Sequence, residues 1–293
     1  MEKEEISGWK KIGEVAVDTM SYAKKTIRPE MTLLEISEKI ENYVLKKGVS
    51  FAFPVNLCTG NIAAHYAPTQ GDKTLAEGLL KLDIGLCKDG FLSDNAVSID
   101  LTPEQKHKEL IEAAEEGLKA GLRAMKHGVE VRDVGKSINA AISGRGFVPI
   151  KNLSGHSLER WKIHSGTTIP NYDNKDSEKV KEGAYAIEPF ASVGDTQVTE
   201  GKPSNIFILK QKKPTRMGRE VLEHIESEYK TLAFASRWLV EKFGPKALID
   251  LSRLRQQGII YEFPQLIKRS DEFTSQAEHS VLVLKDKTLV LTQ

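Results

Sequence analysis

The segment from residue 79 to residue 100 constrains the fold most, because it alternates apolar and polar residues with the period of half-buried strands. Asp89-Gly90 lies in the middle of the segment and is typical of a two-residue hairpin turn. A turn of this length fixes the register of two antiparallel strands. The side chains of Asp83 and Asp94 are then expected on one face of the hairpin, as a diagonal pair with Cβ atoms roughly 7 Å apart.

Aspartate is unfavourable in strands, so this pair requires an explanation. The predicted register sets Asp94 opposite Gly85 and Asp83 opposite Ala96, and these small partners leave space beside the two acids. The simplest interpretation is a solvated polar face on which Lys81 neutralises one acid. The alternative is a site for divalent metal, since carboxylates at this separation suit two ions about 3.5–4 Å apart.

Two pairs of segments are similar at nearly constant offsets. VSFAFPVNL (49–57) matches RGFVPIKNL (145–153), and EGLLKLDIG (77–85) matches EGAYAIEPF (182–190). In the second pair an acid follows a glycine by five residues in both copies, Asp83 after Gly78 and Glu188 after Gly183. We interpret the repeat as two related halves, each of helices followed by strands, which predicts an α+β fold. The identities are few, so chance similarity is the alternative.

Helix signals flank these strands. A capping box at Thr32-x-x-Glu35 starts one helix, and Thr102, with Pro103 at the first helical position, is predicted to start another. A helical stretch near residues 214–243 has no counterpart in the first half, and it predicts an insertion spanning 199–262. The predicted helices cover residues 6–27, 32–48, 102–128, 133–143 and much of 214–243.

The composition excludes binding to nucleic acid or to anionic membranes through net charge alone. Forty-two basic residues against 41 acidic ones give a net charge of +1, so no overall field recruits nucleic acid or anionic membrane. The N-terminal residues are acidic and no apolar run reaches membrane-spanning length, so a cytoplasmic protein is expected. Two cysteines, Cys58 and Cys87, match no zinc motif and form no disulfide framework.

Three further residues could complete a metal site. His156 follows the second copy of the repeated strand, Glu188 lies in the apolar context AYAIEPF, and Glu278 lies in the β-rich segment TSQAEHSVLVL. An unpaired carboxylate in such a context is costly. Each residue alone has a structural interpretation, but together with the hairpin aspartates they favour metal.

The motifs LDIG, SDNAV, NLSGH, AIEPF and QAEHS, in this order, resemble those of the methionine aminopeptidases. NLSGH, AIEPF and the helical insertion are similar to the type II branch, and the length without a leading extension is similar to its archaeal members. The resemblance spans nearly the whole chain, 1–293, as a single metallopeptidase domain. It implies the pita-bread fold, in which two pseudo-symmetric halves surround a curved antiparallel sheet.

The resemblance also implies roles for the five candidate ligands. It implies two divalent ions, of Co, Mn, Fe or Zn, with a bridging hydroxide as the nucleophile. Glu188 is implied to act as general base as well as ligand. The implied ligands are Asp83 for one ion, Asp94 and Glu278 bridging both ions, and His156 and Glu188 for the second ion.

The expected activity is removal of N-terminal methionine from peptides and nascent chains, with a small second residue preferred. His65 and His164 match positions that contact the scissile peptide, although each could be structural. Ala277 departs from the family, whose members usually carry an aromatic residue there. A transient association with the ribosome and a monomeric state are further expectations. The apolar pocket for the methionine side chain is expected to contain Phe53, Ile163, Phe190 and Phe263.

Two other functions compete with this one. Pita-bread relatives that have lost their ligands act as binding proteins, including for RNA, but here all five positions are filled and no basic patch is present. Prolidases and aminopeptidase P share the chemistry, but they typically carry a large leading domain.

Overall fold

The protein is described here by a computed structural model over residues 1–215, 218–269 and 272–293. No helix in these ranges is long and apolar enough to cross a membrane. The helices are α1 (Lys3–Thr26), α2 (Leu33–Leu45), α3 (Lys108–Ala124), α4 (Val131–Gly144), α5 (Arg219–His224), a π-helical turn (Ile225–Tyr229), α6 (Ser236–Phe243) and α7 (Lys246–Gln256).

Most of the strands are short, and two long ones form the predicted hairpin. In chain order they are β1 (Ser50–Phe51), β2 (Asn56–Cys58), β3 (Ile62–Ala64), β4 (Leu79–Lys88), β5 (Phe91–Asp100), β6 (Val148–Pro149), β7 (Ser154–Leu158), β8 (Thr168–Pro170), β9 (Gly183–Ile187), β10 (Phe190–Ser192), β11 (Thr199–Leu209), β12 (Phe234–Ala235), β13 (Ile260–Ile267), β14 (Thr274–Gln276), β15 (His279–Val283) and β16 (Thr288–Val290).

The hairpin β4–β5 has the predicted register. Asp83 pairs with Ala96 and Gly85 pairs with Asp94. Asp89, at the turn, has a left-handed backbone with φ 52°, as a type I′ turn requires. The local alternation and the turn therefore position both aspartates.

Two halves, each with its own helices and sheet, make up most of the molecule. In the first half, α1 and α2 pack on the sheet β1-β4-β2, to which β5 adds through β4. In the second half, α3 and α4 pack on the sheet β8-β7-β9-β15-β16. The halves meet where Ala96 and Glu278 exchange two main-chain hydrogen bonds, of 3.4 and 2.9 Å. One antiparallel surface thus continues from β5 to β15.

The capping box that starts α2 is present. The Thr32 hydroxyl accepts a hydrogen bond from the Glu35 N–H at 3.1 Å, and the Glu35 carboxylate accepts one from the Thr32 N–H at 2.9 Å. Both exposed donors at this helix end are satisfied, which fixes where the helix begins.

The predicted start of α3 was wrong, because the helix begins at Lys108 and not at Pro103. The Thr102 hydroxyl donates to the Asp100 carboxylate at 2.6 Å, and the same carboxylate accepts the His107 N–H at 2.6 Å. Gln105 adopts φ 53°, which no α-helix tolerates in its first turn. Asp100 therefore organises a non-helical loop where the sequence predicts a cap.

The region 199–262 contains both strands and helices. β11 pairs with β12 and β13, and α5, α6 and α7 pack over this sheet around their own apolar cluster. The helix α7 was not among the predicted helices. The boundaries 199–262 for an insertion stay a prediction.

Candidate metal centre and substrate cavity

One cavity, of about 420 Å³, receives all the candidate site residues. Asp83 and Asp94 come from the hairpin, while the other three candidate ligands come from the sheet of the second half. Alternation along the strands turns these side chains to a common face. The cavity is lined by Asp83, Asp94, His156, Glu188 and Glu278, by the two histidines His65 and His164, and by the apolar residues Phe53, Ile163, Phe190 and Phe263.

The candidate ligand atoms lie within the span of a metal cluster. His156 Nε2 is 3.5 Å from Asp94 Oδ2 and 3.7 Å from Glu188 Oε1. Ligand atoms of Asp94, His156 and Glu278 all lie within 4.8 Å of one another. Cations between them could contact several of these atoms at about 2.0–2.2 Å.

The four carboxyl groups have strongly raised pKa values. Burial raises the pKa of Asp83 to about 7. Burial, followed by repulsion from neighbouring carboxylates, raises the pKa of Asp94, Glu188 and Glu278 well above their ordinary values. Ionising all four together is therefore unfavourable unless cations compensate their charge.

No protein cation within the described ranges donates a hydrogen bond that would supply this compensation. Among the residues that the structure describes, Asp83 Oδ1, Asp94 Oδ1 and both Glu278 carboxylate oxygens have no hydrogen-bond donor. Lys81, which could neutralise an acid on a solvated face, is fully buried and its Nζ also lacks a partner. Orphaned buried carboxylate oxygens are what a divalent metal site requires, so the donor set fits two metal ions.

His156 is suited to ligation because it is uncharged. Burial, followed by repulsion from His164, lowers the pKa of His156 to about 3. Its backbone position depends on Gly155, where a Cβ would lie 2.3 Å from the carbonyl oxygen of Ala186 on β9. The glycine in the motif therefore allows β7 to approach β9 closely enough to bring the imidazole to the acids.

Gln276 is a site residue that the sequence reasoning missed. Its side-chain Nε2 donates to Asp83 Oδ2 at 3.5 Å, and its own backbone N–H donates to Ser98 Oγ at 2.9 Å. It orients the carboxylate from a strand 193 residues away. The available signal was its spacing, since alternation puts a residue two before Glu278 on the same face.

The two asparagines of the internal repeat hold the backbone around the cavity. Asn152 accepts the N–H of Val198 and donates to its carbonyl, at 3.0 and 2.8 Å. Asn56 donates to the Pro54 carbonyl at 2.9 Å and accepts the Tyr66 N–H at 3.2 Å. Their shared position reflects the same loop-holding function in both halves.

An apolar wall faces the acids. Phe53 packs against Gly85, where an added Cβ would lie 2.2 Å from the Phe53 ring. Gly85, which pairs with Asp94, thus leaves room for the Phe53 ring beside the carboxylates. The four predicted apolar residues line the cavity. Four further apolar residues of the lining were not predicted from the sequence: Ile206, Ile208, Ala233 and Leu266.

The two remaining histidines border the cavity as neutral side chains. Burial lowers the pKa of His65 to about 4, and its Nδ1 lies 3.3 Å from the carbonyl oxygen of Pro264. A carbonyl only accepts, so Nδ1 carries the proton and Nε2 is a hydrogen-bond acceptor. His164 is exposed at the cavity mouth, but the protein atoms around its ring displace enough water to lower its pKa; the ring centre lies 4.1 Å from that of His156.

His279 and Ala277 point away from the cavity. His279 Nδ1 lies 2.9 Å from Thr292 Oγ1, which explains this histidine as structural. Ala277 is buried in the apolar cluster beneath α3 and α4. Of these three neighbouring residues only Glu278 faces the cavity, in agreement with the orientation that alternation predicts for His279.

Buried carboxylates without protein partners, a neutral imidazole and a neighbouring apolar wall together define a metal-dependent hydrolase. The comparisons with known proteins narrow this class. Residues 7–222 match the model of metallopeptidase family M24. A methionine aminopeptidase from Pyrococcus abyssi is 42% identical over 288 residues, which cover 96% of this chain and 97% of the relative. The chain belongs to metallopeptidase family M24 and, within it, to the methionine aminopeptidases.

Solved structures show the same fold. The structure of a thermophilic Arx1 is similar with a TM-score of 0.86 at 12% identity, and it covers 99% of this chain and 91% of its own. A methionine aminopeptidase from Thermotoga maritima is similar with a TM-score of 0.71 at 20% identity, with coverages of 100% and 98%. These likenesses confirm the predicted pita-bread fold.

Proposed function

We propose that Asp83, Asp94, His156, Glu188 and Glu278 hold the two divalent ions of this methionine aminopeptidase. The observation that supports this assignment is the buried cluster of carboxylate oxygens without hydrogen-bond donors. Oxygen ligands with one imidazole suit Mn, Fe, Co or Zn. When bound, the two ions polarise the scissile carbonyl and lower the pKa of water.

Glu188 serves as the general base. Its carboxylate lines the cavity, with Oε1 3.7 Å from His156 Nε2, and bound cations would keep it ionised, so it is placed to accept a proton beside the metal ions. It takes a proton from the attacking water and delivers one to the leaving amine. One side chain thus performs both proton transfers.

His65 and His164 orient the scissile peptide from the open side. The Nε2 of His65 is an acceptor, so it binds a peptide N–H of the substrate rather than its carbonyl. His164, exposed at the cavity mouth, is free to donate to the developing oxyanion. The two imidazoles therefore contact different atoms of the same peptide bond.

The apolar wall binds the methionine side chain. Phe53, Ile163, Phe190 and Phe263 surround a space that suits an unbranched, polarisable thioether. The free N-terminal amine lies at the acidic end of the cavity, which restricts cleavage to the first residue. A small second residue is preferred because the next substrate side chain meets His65 and His164 at the mouth.

A peptide panel tests this function. The metal-loaded protein is expected to release methionine from Met-Ala-Ser and to leave Ala-Pro peptides intact, because the apolar pocket has room for a methionine side chain. EDTA should abolish the release, and Mn or Co should restore it. Faster cleavage of Ala-Pro peptides, or full activity in a metal-stripped sample verified by elemental analysis, would contradict the proposal.

Replacing His65 by alanine should lower kcat on Met-Ala-Ser by about 10²-fold, because one positioned hydrogen bond to the reacting peptide is lost. Bound metal should stay at the wild-type level, since His65 contributes no metal ligand. Kinetics and elemental analysis on the same sample check both parts. The exposed His127→Ala is the matched control, and a His65 variant without metal would show that His65 is a ligand instead.

The substrates and the cellular compartment of the reaction are proposed from the same activity. The substrates are nascent chains and peptides that begin with methionine, which supports activity in the cytoplasm, where such chains are made. Transient contact with the ribosome and a monomeric state stay predictions.

A further inference from the structure

A half-buried tryptophan with an unfavourable backbone conformation precedes two residues of the cavity wall. Trp161 has φ 63°, which is common for glycine and uncommon for a residue with a bulky side chain. It lies in a two-residue turn whose flanking residues, Glu159 and Lys162, exchange two main-chain hydrogen bonds, both of 3.0 Å. Such a conformation persists only where the surrounding structure holds it in place. The contacts of Trp161 therefore show what fixes this turn.

Two other segments of the chain hold Trp161. Its N–H donates to the Gly90 carbonyl at 2.9 Å, and a Cβ added at Gly90 would lie 2.3 Å from Trp161 Nε1. In addition, Lys230 Nζ lies 3.6 Å from the centre of the indole ring, and the Thr231 hydroxyl donates to the Trp161 carbonyl. Gly90 belongs to the turn between β4 and β5, whereas Lys230 and Thr231 follow the π-helical turn. Trp161 thus joins the hairpin to the region 199–262.

The residues that follow this turn, Ile163 and His164, both line the cavity. The His164 side chain makes no hydrogen bond within the described ranges, so its position depends on the main chain on either side. On the carboxyl side, the Ser165 N–H donates to the Ser157 carbonyl at 2.9 Å, and the Ser165 hydroxyl donates to Ser157 Oγ at 2.7 Å. On the amino side, the contacts of Trp161 attach the chain to the rest of the molecule.

We propose, on the basis of the proposed function in which His164 donates to the developing oxyanion, that Trp161 is a positioning residue of the reaction. It holds the main chain before His164 so that the imidazole meets the scissile peptide. Trp161 lies outside the cavity lining, so it touches no substrate and acts through His164. Without the indole ring the turn loses its contacts with Gly90 and Lys230, and the imidazole is less often in the productive position.

Replacing Trp161 by alanine should lower kcat on Met-Ala-Ser about tenfold and leave bound metal at the wild-type level. Trp161→Phe keeps a ring beside Gly90 and should lower kcat less than about threefold. Tyr43→Ala is the matched control, because it removes another half-buried ring, 4.6 Å from Lys47 Nζ, on α2 and outside the cavity lining. Its kcat should equal that of the wild type. Kinetics, elemental analysis and circular dichroism on the same samples check these results.

A double-mutant cycle separates positioning from a general loss of folded protein. His164→Ala should lower kcat by about 10²-fold. In that background Trp161→Ala should change kcat by less than about twofold, because no imidazole is left to position. A purely structural defect would lower kcat about tenfold in both backgrounds. That equal loss would overturn the proposal.

Thr231→Val is a second variant, and it should fold because this residue is exposed and valine has the same shape. It removes only the hydroxyl that donates to the Trp161 carbonyl, and it should lower kcat about threefold in the wild type and not in His164→Ala. A wild-type kcat in both Trp161→Ala and Thr231→Val would overturn the proposal, as would a wild-type kcat in His164→Ala.

These failures are distinguishable from a failure of the proposed function, because the wild type would still release methionine in each of them. If the metal-loaded wild type released no methionine, the proposed function and this role of Trp161 would both fail.

Discussion

Replacing Glu278 by alanine is expected to lower kcat/KM on Met-Ala-Ser by about 10⁴-fold or more while the protein stays folded. Glu278 is one of two proposed bridging ligands, so its loss affects both ions rather than one. The fold should survive because the removed carboxyl group has no hydrogen-bond donor in the described structure and its ionisation opposes folding. Kinetics, elemental analysis and circular dichroism on the same sample check the three parts.

The neighbouring His279→Ala is the matched control. This residue lies on the same strand but faces away, where it bonds Thr292, so its removal should leave metal content and turnover near the wild-type level. If Glu278→Ala retained two ions and a tenth of the wild-type activity, Glu278 would not be a bridging ligand. If both variants lost activity equally, damage to the strand would explain the loss.

The hairpin shows why part of this site could be predicted from sequence. The register of β4 and β5 depends on a two-residue turn and on alternation, both of which are local. Asp83 and Asp94 are therefore placed relative to each other before any long-range contact is known. Sequence context singled out His156, Glu188 and Glu278 only as candidates, and the family resemblance implied their roles as ligands, since no local rule brings three distant segments together.

Other parts of the site depend on tertiary contacts that leave little trace in sequence. Gln276 contacts Asp83 across two sheets; its spacing from Glu278 indicates the face on which it lies but not which carboxylate it contacts. The apolar lining residues Ile206 and Ala233 lie within the region 199–262, whose packing on the first half, for example the hydrogen bond from Ala233 N–H to the Ala52 carbonyl, is not encoded locally.

The helix errors have identifiable physical causes. Before α3 the Thr102 hydroxyl donates to Asp100 and accepts the Lys106 N–H at 3.0 Å, but Gln105 has φ 53°, so these bonds stabilise a loop and not a helix start. At α7, Ala247, Leu251 and Leu254 form a buried stripe, but Leu248 and Ile249 are 51% and 56% exposed. These exposed apolar residues lie outside the stripe and obscure the helical period in the sequence.

The metal-free protein should become less stable as the pH rises from 6.5 to 8.0. The pKa values of Asp94, Glu188 and Glu278 are raised in the folded state. Their contribution to the free energy of unfolding is therefore fully present at low pH and is lost as the pH rises through the folded pKa. While such a group is protonated in the folded state and ionised in the unfolded state, the free energy of unfolding falls by about 1.4 kcal/mol for each unit by which the pH rises. Urea unfolding in EDTA measures this slope.

A matched variant separates the carboxyl groups from other titrations. The buried histidines, whose pKa values are lowered in the folded state, act near pH 6.5, and Lys81, whose pKa is lowered to about 8, acts near pH 8; both raise the free energy of unfolding as the pH rises, so the carboxyl contribution is read from the difference between variant and wild type. Glu278→Gln should reduce the slope by about one group's share, and saturating Mn should abolish it, because bound cations keep the carboxylates ionised in the folded state. If the free energy of unfolding of the metal-free protein did not change with pH, the four carboxyl groups would have to be compensated without metal. The electrostatic argument for two cations would then fail.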